Sequence, residues 1–207
     1  MGRPRTPLLD RRRIAAAALD LADQQGTLTI PALARALGVA PSALYHHVSG
    51  RDEIISLMRE ELIITTSCDR DWSQPWPQAL DKWTRGYLAA FTAHPRAVPL
   101  LATTPLAEPC IHAVYEEVAE LLLTSGFAKD QIMPMITALE SFTLGSALDS
   151  IAPPVMVSDV AREKAPHLAI ALDHTPTDQQ RAQAAFDTGL QALLTGFAAL
   201  LPDHHTP

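Results

Sequence analysis

Two short apolar-periodic segments meet across a Leu37-Gly38-Val39 corner inside the stretch TIPALARALGVAPSALYHHVSGR, Thr29 to Arg51, and this corner restricts the fold most. Ile30, Leu33, Ala34 and Leu37 fall at helical spacing on one face, and Leu44 and Val48 repeat that spacing after the glycine. Such short helices are marginal in water and need a third helix over their apolar faces. Ile14, Ala17, Ala18 and Leu21 upstream supply one. The pattern is that of a three-helix module built on a helix-turn-helix, whose second helix lies in the DNA major groove while the first crosses the phosphate backbone.

Local signals agree with this parse. Thr29 is a good cap for the first helix of the motif, Pro31 sits in its first turn, and Gly38 can adopt the positive φ that ends it. The second helix lacks such a cap, because Ala40 has no side-chain oxygen, and its start is expected to fray or to depend on a ligand, although Pro41 removes one orphan donor. Ser49 and Asp52 are spaced as a capping box. Ile54, Leu57, Met58 and Leu62 then continue with helical period, so a fourth helix leaves the module.

Charge points the same way. Residues 1–51 carry seven arginines and three aspartates, a net of +4, whereas the remaining residues carry nine basic and twenty acidic groups, a net of −11. A basic module can neutralise phosphates while an acidic body repels DNA from other faces. Arg11, Arg12 and Arg13 are therefore expected to attract phosphate rather than merely to solvate a helix start.

Thr29, the Leu37-Gly38-Val39 corner, the run Leu44-Tyr45-His46-His47-Val48 and the helix opening near Arg51 together resemble the DNA-binding domain of the tetracycline-repressor (TetR) family. The resemblance covers roughly residues 8 to 60 with specificity. Beyond it, the His94-Pro95 turn, the Gly145 segment and Phe186-x-x-Gly189-Leu190 are similar to the family's ligand-binding domain in layout. The resemblance implies an all-α protein: an N-terminal three-helix helix-turn-helix domain, residues 1–50, joined to a larger helical effector-binding and dimerisation domain, residues 51–207. It implies a homodimeric repressor that a small molecule releases from a palindromic operator.

Residue roles within the motif follow from docking geometry and from the resemblance. The start of the second helix points at base edges, which makes Ala40, Pro41, Ser42, Ala43 and His46 the candidate readers while Leu44 and Val48 face inward. By resemblance, Tyr45 and His47 bond phosphates, with Thr29 and Arg51 in support. The chain departs from the family pattern at Pro31, where the resemblance implies a base-reading arginine.

From Pro77 onward the chain reads as helices punctuated by Pro and Gly, at roughly 77–93, 95–102, 107–125, 130–151, 158–172 and 177–201. Pro134 either moves the start of the fourth of these to about Met133 or kinks its first turn. Thr177 and Gln180 make a capping box for the last. The last helix and the stretch Ile136 to Leu148 are apolar on more than one face, so Leu144, Leu148, Phe186, Leu190, Leu193, Leu194 and Phe197 are assigned to a four-helix dimer interface, the alternative being that other helices of the same chain cover both faces.

Effector candidates come from pattern alone. Trp83, Tyr87 and Phe91 repeat at i, i+4 and i+8, and His112, Tyr115 and Glu116 cluster on another helix. Met133, Glu140 and Phe142 are further wall candidates for a mostly apolar ligand with one hydrogen-bonding or ionisable group. His112 and Glu116 are only two donors, so no metal or other cofactor is expected. Cys68 and Cys110, without metal-like spacing, read as free thiols. The polar start and the absence of a membrane-length apolar run predict a cytoplasmic protein with no membrane partner. An enzyme or a helical interaction protein are the alternatives, but there is no Gly-rich phosphate loop, H-E-x-x-H or nucleophile elbow, so no catalytic residue is assigned.

Overall fold

The computed structural model describes residues 9–66, 70–153, 159–173, 176 and 178–202. Among them are α-helices and one 3-10 turn, with no strand: α1 (Arg11–Gln25), α2 (Ile30–Leu37), α3 (Pro41–Leu44), α4 (Arg51–Thr66), α5 (Trp76–Ala93), the turn Pro95–Ala97, α6 (Val98–Ala102), α7 (Pro109–Thr124), α8 (Lys129–Asp149), α9 (Asp159–Lys164), α10 (Pro166–Asp173) and α11 (Asp178–Ala198). They fall into two compact units, Met1–Cys68 with Ala93–Tyr115, and Asp69–Thr92 with Glu116–Pro207. The first unit thus extends past the expected boundary at residue 50, because α4 lies along α1 and its Ile54, Ile55 and Met58 are fully buried.

In the first unit, Asp10 caps α1 by accepting from the Arg13 N–H at 2.8 Å, and Thr29 caps α2 by accepting from the Ala32 N–H at 3.3 Å. Gly38 ends α2 at φ 69°, a left-handed conformation that costs an L side chain about 1–2 kcal/mol. Ala40 offers α3 no side-chain bond, and α3 is a single turn followed by hydrogen-bonded turns in which His47 and Val48 donate to the Leu44 carbonyl. Leu33, Leu44 and Val48 are buried beneath this pair of helices.

The start of α4 differs from expectation by one residue. The helix begins at Arg51, so Glu53 rather than Asp52 reaches back, and its carboxylate accepts from the Ser49 N–H at 2.6 Å. Deeper in α4, Arg59 is 3% exposed and meets Glu108, 2% exposed, at 2.5 Å. The same guanidinium donates to the carbonyls of Leu101, Thr104 and Pro105, which closes the C-terminal end of α6, while Glu108 also accepts from the Ala107 N–H. A buried ion pair is tolerated when its remaining groups are bonded in this way.

The second unit packs α8 against α11 around Phe186, Leu190, Met135, Ile136 and Leu139. Their approach depends on Gly189: a Cβ there would sit 2.4 Å from the Phe142 ring, which stacks on Phe186 at 5.4 Å. Pro134 lies inside α8, whose start at Lys129 is helped by Gln131 accepting from the Ala128 N–H, so a start at Met133 is ruled out. The single helix expected over 158–172 is two, because Pro166 cannot donate and its ring disfavours helix at Ala165. The capping box on Thr177 lies outside the described residues.

Candidate nucleic-acid interface and ligand-binding residues

The α2–α3 corner sorts its side chains by burial. Leu44 and Val48 point into the module, whereas Ala40, Pro41, Ser42, Tyr45 and His46 are exposed and Ala43 and His47 half-buried. Tyr45 keeps 56% of its surface open although it is large and aromatic. One short exposed edge therefore carries two hydroxyls and an imidazole, with small apolar groups between them. Hydroxyls and imidazole can bond phosphate oxygens or base edges, and alanine or proline can touch a thymine methyl.

The surrounding charges hold this edge in place. Arg11 donates to the His47 carbonyl at 3.0 Å and to Glu53 at 2.6 Å, which ties α1 to the end of α3 and the start of α4. Arg12 pairs with Glu61 at 3.2 Å. Two arginines expected to attract phosphate are thus bonded to α4 carboxylates, a structural role that the run of three arginines concealed. Arg51 donates through Nε to the Leu28 carbonyl at 3.3 Å and stays exposed, so it both braces the module and offers charge to solvent. The Ser49 N–H, then the Arg11 guanidinium, then the Ser49 hydroxyl hold the Glu53 carboxyl down at about 2 against an ordinary 4.5.

The ligand candidates are divided between the units. His112 and Tyr115 belong to the first, with His112 exposed and its Nε2 3.3 Å from the Leu106 carbonyl. Glu116, also exposed, belongs to the second. There Trp83, Tyr87 and Phe91 form a ladder of rings, 5.9 and 4.6 Å apart, continued to Trp72 at 6.3 Å. Phe142 packs against Phe186, Glu140 is half-buried, and Met133 is exposed in α8. A cleft of about 430 Å³ lies among α5, α8 and α11, lined by Leu88, Thr92, Ser146, Ser150, Ile151, Ala182, Gln183 and Phe186. Pattern reading missed the hydroxyl lining, because Thr92 on α5 and Ser146 and Ser150 at the end of α8 carry no joint signal in sequence. A more open groove of about 660 Å³ runs between Trp76 and Gln191.

Assignments to a dimer interface need correction. Phe186, Leu190, Leu194 and Phe197 are buried within the single chain, since their face of α11 packs inside the second unit. Leu148, 40% exposed, and the half-buried Leu144 and Leu193 retain surface for a partner. Among the described residues no group of three or more His, Cys, Asp or Glu could hold a metal ion. Cys110 is a free thiol raised above its usual range by burial and then by Glu60 and Glu108, which disfavours the reactive thiolate. Among the described residues no helix is long and apolar enough to cross a membrane.

Residues 14–58 match the family described as bacterial regulatory proteins, tetR family, and residues 71–201 match its tetracyclin repressor-like C-terminal domain. The chain belongs to the TetR family of transcriptional regulators. It is 27% identical over 204 residues to an HTH-type transcriptional regulator of Saccharopolyspora erythraea, covering 93% of this chain and 86% of that protein. It is also 27% identical to the class E tetracycline repressor protein of Escherichia coli, with 92% of each chain covered. Among solved structures, a possible TetR family regulator from Streptomyces coelicolor superposes with a TM-score of 0.75 at 23% identity, over 92% of this chain and 100% of that one. In this TetR-family chain the helix-turn-helix is α2–α3, and the C-terminal family domain spans α5 to α11.

Proposed function

We propose that this TetR-family regulator is a ligand-responsive repressor that binds a palindromic operator as a homodimer and leaves it when a small, mostly apolar effector binds the C-terminal domain. The observation that carries the reading is the exposed edge of α3, seated on buried Leu44 and Val48 and braced by Arg11 and Arg51. Ala40, Pro41, Ser42, Ala43 and His46 read bases, while Thr29, Tyr45, His47 and Arg51 hold phosphates. Two such modules are needed for a palindrome, and the uncovered Leu144, Leu148 and Leu193 on α8 and α11 support pairing of these helices across a two-fold axis. Repression agrees with the names of relatives that align over most of the chain.

Release follows from population shift. An effector that favours a dimer whose two α3 helices no longer match the half-site spacing must prefer that state by several kcal/mol to invert occupancy. The test is selection of bound duplexes from random DNA, then a mobility-shift screen for compounds that release the selected duplex. Recovery of a palindrome and of releasing compounds is the expected outcome. Compounds that only strengthen the complex would reverse the assigned polarity, and failure to enrich any sequence would remove the operator reading altogether.

A further inference from the structure

Thr84 is 1% exposed on α5, and its hydroxyl has no hydrogen-bond partner among the described residues. Thr92, Thr124, Thr143, Thr188 and Thr195, also helical, donate to the preceding turn. Thr143, equally buried, bonds the Leu139 carbonyl at 2.7 Å, and Thr92 bonds the Leu88 carbonyl at 2.9 Å. A buried hydroxyl that forgoes this bond is a cost that calls for a reason.

Its position supplies one. Four residues on, Leu88 and then Thr92 wall the cleft of about 430 Å³, so Thr84 sits one helical turn from that cleft, on the row that lines it. On its other side stands the ladder of Trp83, Tyr87 and Phe91. Thr84 does not itself line the cleft; Leu88, whose side chain leans back toward the turn that holds Thr84, is the residue a ligand would displace to reach the hydroxyl.

The lining dictates the ligand. Thr92, Ser146 and Ser150 already spend their protons on backbone carbonyls, so they offer only lone pairs, whereas Thr84 keeps a proton free to donate. Nearby charges are paired, Arg85 with Asp81 and Asp187 and Arg181 with Asp149, although the buried Arg181 Nε–H has no partner of its own. Phe186, stacked on Phe142, gives the cleft a flat aromatic wall. We propose that Thr84 is the hydrogen-bond donor of an effector subsite continuous with this cleft, which takes the carbonyl oxygen of a flat, neutral, mainly aromatic molecule. This proposal rests on the ligand-responsive reading above.

Fluorenone and fluorene share a flat tricyclic skeleton and differ by one carbonyl, and tryptophan quenching of the full chain measures the binding of each. Wild type and Thr84→Ser should bind fluorenone about tenfold more tightly than fluorene, the worth of one buried hydrogen bond. Thr84→Val, of the same shape without the hydroxyl, should lose that preference while unfolding at a temperature no lower than wild type. Equal affinities for the two compounds in wild type overturn the proposal, as does a preference that survives in Thr84→Val. A Thr84→Val protein that melts several degrees lower also overturns it, since the hydroxyl then had a partner in the free protein. If neither compound binds wild type the subsite is wrong, while the repressor reading still stands or falls by the release screen.

Discussion

His46 and Tyr45 are neighbours on one exposed turn, yet an imidazole aimed at base edges and a phenol at phosphate should do different work. His46→Ala or Ser42→Ala should change which duplexes are preferred, by about 1–3 kcal/mol at the base concerned. Tyr45→Phe should weaken all duplexes alike, and Arg51→Ala should do so while lowering the logarithmic salt slope by about 1. Titrations on selected and scrambled duplexes at several salt concentrations separate these cases, and equal losses on both duplexes for His46→Ala would contradict the division. Glu53 makes a pH prediction. Its carboxyl is lowered to about 2 in the fold, so the stability it contributes is complete above 4.5 and is lost as pH falls toward 2. Thermal melts of wild type and Glu53→Gln across that range should differ, with the variant flatter. At this scale the sequence revealed which residues face outward, because helical period fixes that. It did not reveal that Arg11 and Arg12 bond carboxylates on α4, because partners 42 and 49 residues away depend on how α1 lies along α4.

Helix positions were readable almost throughout, since Pro, Gly and capping residues mark their ends locally. Expectation and structure part where a boundary moves by a residue: α4 starts at Arg51, which brings Glu53 rather than Asp52 back to the Ser49 N–H, and Pro166 divides the stretch expected as one helix. Burial against a particular neighbour is not readable from period, so Phe186, Leu190, Leu194 and Phe197 look from sequence like interface residues although the single chain buries them. Two substitutions test the packing. Gly189→Ala places a methyl 2.4 Å from the Phe142 ring and should cost about 1–3 kcal/mol in chemical denaturation. Arg59→Met strands Glu108 in the interior and should cost about 3–5 kcal/mol, and replacing both members with apolar residues should recover only the part owed to the stranded carboxylate, because the Leu101, Thr104 and Pro105 carbonyls lose their donor in either variant. A double variant no more stable than Arg59→Met would show that the pair is not the source of the effect.

For the whole molecule, the uneven charge along the chain and the uncovered part of α8 and α11 lead to the same expectation, a dimer that presents two α3 edges to DNA. Sedimentation at micromolar concentration should give twice the mass of the 22.4 kDa chain, and Leu148→Glu should shift it toward the monomer and weaken operator binding with it. The central claim, sequence-specific DNA binding through α3, is tested most directly by a mobility-shift comparison of the selected duplex and its scrambled counterpart at physiological salt. The selected duplex should be preferred by about a thousandfold or more, and His46→Ala should reduce that preference. Equal affinity for both duplexes would contradict it.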